Sequence, residues 1–147
     1  LVISTRTTAR EVEQKLEHYD VDESTAEILD ALSVERGYSR RSSDRVHYVS
    51  TPEDVDGIVD RTRAFLGSNE GKLRISVDSV TEMAYYAGVD GAHDATGRLL
   101  DLLEEHDAVG LFHLSNEVHD DETLDRFREL FGTVIELDVD GGVELDE

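Results

Sequence analysis

The chain of 147 residues has no cysteine and no tryptophan, one proline and one methionine. Without cysteine there is no disulfide, no thiolate metal ligand and no cysteine nucleophile. No apolar run approaches the roughly 18 residues that span a bilayer as a helix. No signal-peptide pattern opens the chain. Lysine is nearly missing too: Lys15 and Lys72 stand against twelve arginines. A chain of this length has room for one real core, so one domain over residues 1–147 is expected.

Acid is present in excess. Thirty-five Asp and Glu against fourteen Lys and Arg give a formal charge of −21. Area scaling allots a folded chain of this mass roughly 7,500 Å², or about one uncompensated charge per 350 Å². Self-repulsion of that size opposes compaction at low salt. In molar salt the Debye length shrinks to about 3 Å and most of the repulsion is screened. Disorder is the rival reading of such acidity, but 38% of residues are hydrophobic and they fall in short aliphatic runs that disordered chains lack. Much acid, little lysine and a normal aliphatic content resemble proteins of salt-in halophiles, which implies a high-salt cytoplasm; an ordinary acidic protein is the alternative. The global charge also disfavours nucleic acid as a partner.

The apolar runs have strand lengths: 1–4, 45–49, 73–77, 109–114 and 133–137. Helical patterns lie between them. Thr51 is placed as an N-cap with Pro52 at the first helical position and acids following. Val55, Ile58, Val59, Thr62 and Leu66 then make one stripe, closed by Gly67. Further helices are expected over about 92–106 and 120–131. Alternation of this kind predicts an α/β fold, a three-layer sandwich on a mainly parallel sheet. Asp140-Gly141-Gly142 between two short β-like runs predicts a C-terminal β-hairpin. Residues 26–33 read equally as helix or buried strand by periodicity alone.

The 73–77 run ends in Asp78, the shape of a Walker B element. An Asp at the carboxyl end of a central strand can hold magnesium through water. The plainer reading makes Asp78 the N-cap of the next helix.

The segment Asp78-Ser79-Val80-Thr81-Glu82-Met83 resembles one found in RecA-like ATPases of the KaiC type. Other pieces agree in order: Val2 to Val12 resembles that family's second strand and helix, and Ile28-Leu29-Asp30-Ala31-Leu32-Ser33 its next strand, which turns the ambiguous segment towards β. Tyr48 to Val55 is similar to an element of haloarchaeal, transducer-like (HTR-like) members. Residues 111–116 and 131–137 resemble the strand beyond Walker B and the start of a closing hairpin. The resemblance covers nearly the whole chain. It implies nucleotide contacts at Asp78, Ser79 and Asn116, with magnesium at Asp78.

Two departures matter. The family's Gly-rich phosphate loop, ending Gly-Lys-Ser/Thr, is missing: Lys15 falls within a helical pattern and Lys72 directly precedes the Walker B-like run. The chain opens inside the second strand without Met, so an N-terminally incomplete RecA/KaiC-like core, lacking its P-loop strand, is expected. The strands at 109–114 and 133–137 must then pair directly or recruit a substitute. Second, the family's pair of glutamates after that strand is replaced by Arg6 and Thr7, and an arginine cannot take a proton from water. The expectation is a catalytically degraded domain acting in regulation or signal transduction, with no cofactor for the chain as given. The alternative is an ATPase domain whose P-loop lies outside this chain, with ATP and magnesium as cofactors. A receiver-like phosphoacceptor is the third reading, opposed by Ser4-Thr5-Arg6 where an acidic pair belongs.

Arg36, Arg40, Arg41 and Arg45 form the one basic island, with Asp44 among them. It suits an anion, a protein partner or a second copy of the chain; a solvated loop paired with nearby carboxylates is the plain alternative. His93, His113 and His119 show no metal-ligand spacing. Met83, Tyr85 and Tyr86 fit core packing at helical spacing.

Overall fold

The computed structural model describes residues 1–41, 43–138 and 140–146, with the side chain of Glu23 left aside. It divides into two compact units, Leu1–Leu114 and Ser115–Glu147. No helix among the described residues is long and apolar enough to cross a membrane.

The first unit is an α/β layer structure on a five-stranded, all-parallel sheet. Its strands are β1 (Val2–Ser4), β2 (Ile28–Asp30), β3 (Val46–Tyr48), β4 (Arg74–Asp78) and β5 (Val109–Phe112), in the order β3-β2-β1-β4-β5. Ser4 is in register with Asp30 on one side and Asp78 on the other. Ile3, Leu29 and Val77 are wholly buried. Central parallel strands are covered on both faces, which explains why these runs are apolar without alternation. The segment that periodicity leaves undecided, 26–33, carries β2.

The helices are α1 (Ala9–His18), α2 (Val55–Ser68) and α3 (Val80–Glu105). Thr8 and Glu11 cap α1 reciprocally. Its Ala9 and Val12 pack with Ile28, Val46 and Tyr48 over β2 and β3. The N-cap of α2 is Asp54, accepting from the Gly57 amide, and not Thr51. Thr51 Oγ1 instead accepts from the Glu53 amide, a local turn that competes with helix entry. The expected stripe holds: Ile58, Val59, Thr62 and Leu66 are buried. α3 begins twelve residues before the helix expected from about Ala92 and bends at Gly88, whose φ of 81° and ψ of 163° lie outside the helical region. Glycine takes that conformation without a Cβ clash. Met83 is buried as expected, but Tyr85 is 81% exposed and Tyr86 is only partly buried.

The second unit holds α4 (Asp121–Arg128) and an antiparallel hairpin of β6 (Val134–Leu137) and β7 (Val143–Asp146). Asp120 caps α4, and Phe127 is its buried anchor. In the turn, Asp138 accepts from the amides of Asp140 and Gly142, and a Cβ on Gly142 would fall 2.3 Å from that carboxylate. Arg128 of α4 is ion-paired with Glu136 of β6.

Candidate functional site

The strand order reverses between β1 and β4. Successive strands run outward from β1 through β2 to β3, and then from β4 to β5 on the other side. In open parallel sheets such a switch point leaves a crevice outside the carboxyl ends of the strands, where ligands bind. The residues ending those strands therefore define the first place to look.

On the β2 side the carboxyl end is closed by Asp30. Its side chain is wholly buried and accepts from the Ala9, Leu32 and Ser33 amides at 2.7, 2.9 and 2.8 Å, and from the Ser33 hydroxyl. A buried carboxylate persists only with such a full set of donors. Asp30 thus ties the start of α1 to the turn after β2 and has no oxygen to offer a metal.

On the β4 side Thr5 does the joining. Its hydroxyl donates to the Ser79 carbonyl at 2.9 Å and accepts from the Ser79 amide at 2.8 Å, while its own amide donates to the Asp78 carbonyl. The Asp78–Ser79 peptide is cis. Ser79, not Asp78, is the N-cap of α3: its hydroxyl accepts from the Glu82 amide at 3.2 Å.

Asp78 faces Arg6. The guanidinium Nε lies 2.7 Å from Oδ1, with Asp78 largely buried and Arg6 half-exposed. Oδ1 accepts no aligned hydrogen bond from the described residues, so the contact is an ion pair with its N–H turned off the line between them. The Arg6 guanidinium lies against the carboxylate that the resemblance assigns to magnesium. Among the described residues no group of three or more His, Asp or Glu is placed to hold a metal. One carboxylate with an arginine against it does not fit magnesium.

A concavity of about 470 Å³ lies at the first turn of α1, beside the carboxyl ends of β2 and β3. Its wall includes Arg10, Arg36, Arg41, Tyr38, Ser39 and Tyr48. Arg41 is ion-paired with Glu13, which raises its pKa above the ordinary arginine value, and its amide donates to the Tyr48 hydroxyl at 3.1 Å. Arg10 and Arg36 form no ion pair among the described residues.

A model of a family of unknown function, DUF7090, matches residues 1–147. The chain belongs to that family. No curated protein matches it.

In this DUF7090 chain the basic island is divided. Arg36 and Arg41 reach the cavity, Arg40 donates to the Ser50 hydroxyl at 3.3 Å, and Arg45 lies beside a smaller recess. Ser42 of the island lies outside the described residues. Asn116 is exposed in the 115–119 segment of the second unit. Sequence reading missed Thr5, Asp30, Arg10 and Tyr48. The signal available for the first two was a polar residue closing a buried strand, where a hydroxyl or carboxylate must find donors.

Proposed function

We propose that this domain is a catalytically degraded RecA/KaiC-like module that works by binding and conformational signalling in a high-salt cytoplasm. The observation that carries the reading is Arg6 against Asp78. The position that resemblance assigns to a water-activating glutamate holds a cation, and that cation neutralises the carboxylate assigned to magnesium. One substitution thereby removes both a base and a metal ligand. Ser79 is likewise committed to its helix cap, so neither side chain is free for nucleotide chemistry. What remains is a rigid carboxyl edge suited to transmitting a contact with a protein partner or a second copy.

The rival reading, an ATP-binding domain completed by a phosphate loop from outside these residues, draws on one observation. β5 is an edge strand of the five-stranded sheet, and its Val109 and Leu111 are more than half exposed. An edge of this kind accepts a further strand.

Calorimetric titration with ATP and magnesium in molar KCl, beside a phosphate-release assay, separates the two. Regulatory use of the domain predicts no phosphate release and no binding that depends on Asp78. Micromolar affinity lost in Asp78→Ala overturns it in favour of the ATPase reading.

A further inference from the structure

We propose that the cavity beside α1 binds a small phosphate-bearing molecule, at a site independent of Asp78. At about 470 Å³ it falls within the range of pockets that take small ligands. Its charge is unusual for this chain. Three guanidiniums, Arg10, Arg36 and Arg41, line it against two carboxylates, Glu11 and Asp30, in a protein of net charge −21.

Both carboxylates are engaged elsewhere. Asp30 is saturated by four donors in its buried position, and Glu11 closes the capping box with Thr8. At the helix end the Ala9 amide goes to Asp30, the Glu11 amide to the Thr8 hydroxyl and the Val12 amide to the Thr8 carbonyl. The arginines differ. With thirty-five acids in the chain, Arg10 and Arg36 still form no ion pair among the described residues, which leaves two guanidinium forks available beside one concavity.

Tyr48 supplies an independent indication. Its ring is buried in the α1 cluster and its hydroxyl accepts from the Arg41 amide. That leaves the phenol hydrogen without an acceptor among the described residues, and Tyr48 lines the cavity. A hydroxyl so placed can donate to an acceptor held in the cavity. Ser39 adds a second hydroxyl at the wall.

The donor set decides the class of ligand. A carboxylate presents two oxygens in one plane, and a single guanidinium can satisfy it. A phosphate presents three strong acceptor oxygens around a tetrahedron and takes donors from several directions. Guanidiniums from α1 and from the 36–41 segment, together with two hydroxyls, match the second pattern. The exposed Tyr38 at the rim gives an organic group a flat surface to lie on.

The test is calorimetric titration of the full chain with inorganic phosphate, glucose 6-phosphate, AMP and citrate. Circular dichroism checks that each variant is folded. At least one phosphate probe is expected to bind saturably at one site. Arg10→Ala and Arg36→Ala should each weaken that binding about tenfold or more, as loss of a charge-assisted bond requires. Arg63→Ala, which removes a guanidinium paired with Asp60 on α2, should leave it unchanged. A preference for AMP or glucose 6-phosphate over inorganic phosphate identifies an organic phosphate as the ligand; equal affinity identifies the free ion. Absence of saturable binding by all three phosphate probes overturns the proposal. So does tighter binding of citrate, or phosphate binding that survives in the Arg10→Ala/Arg36→Ala double variant.

Discussion

Arg6 Nε stands 2.7 Å from Asp78 Oδ1, linking the loop after β1 to the end of β4 at the point where the strand order reverses. The two residues are 72 positions apart in sequence, so only the parallel pairing of β1 with β4 brings them together. The pair ties the loop after β1 to the end of β4.

The pair is asymmetric in exposure, with side chains 52% and 19% accessible for Arg6 and Asp78. Solvent screening limits its net worth to about 0.5–1 kcal/mol. Arg6→Ala alone should cost more, about 1–2 kcal/mol, because it leaves a mostly buried carboxylate without a counter-charge. Adding Asp78→Asn to that variant should recover part of the loss. Urea denaturation of the four members of the cycle gives the coupling directly.

Asp30 is the stronger structural element. Asp30→Ala strands three backbone amides and a hydroxyl in a buried site, and should cost at least about 3 kcal/mol. Asp30→Asn keeps one acceptor oxygen but turns an amide towards donors, and should cost about 1–3 kcal/mol. Urea midpoints rank the two. Equal stability of Asp30→Ala and the parent would mean that the donors find water instead.

The charge of −21 makes a statement about salt. Thermal midpoints should rise steeply as KCl increases from about 0.1 M to about 1 M, where the Debye length falls from about 10 Å to about 3 Å. A midpoint independent of KCl would separate this chain from salt-adapted proteins.

Asp120 provides a pH dependence of known sign. The hydrogen bond from Thr123 holds its carboxyl below the ordinary aspartate range. A group depressed in the folded state stabilises above its unfolded pKa, and that contribution is lost as pH falls through the folded value. Asp120→Asn keeps a capping oxygen without a titrating charge. Its stability should therefore fall less on acidification than the parent's between neutral and strongly acid pH, as followed by circular dichroism.

Much of the α/β organisation was legible because buried parallel strands are short aliphatic runs, and the hairpin because Asp140-Gly141-Gly142 carries its own turn chemistry. Errors arose where local signals compete. Pro52 and Thr51 look like a helix start, yet the backbone there makes a turn and Asp54 caps the helix three residues later. The helix expected from about Ala92 starts at Val80, and Gly88 is a bend within it. The site was less legible than the fold. Asp78 and Arg36 could be singled out by type and spacing, whereas the partnership of Arg6 with Asp78 and of Arg10 with Arg36 depends on tertiary pairing that no periodicity encodes.

The central claim is that Arg6 takes the place of a metal at Asp78. Manganese, standing in for magnesium, can be titrated into the parent chain and Asp78→Asn in molar KCl, with bound ion counted by electron paramagnetic resonance. High salt suppresses diffuse binding to the acidic surface. The result expected is two superimposable isotherms. One additional saturable site in the parent, lost in Asp78→Asn, would contradict it.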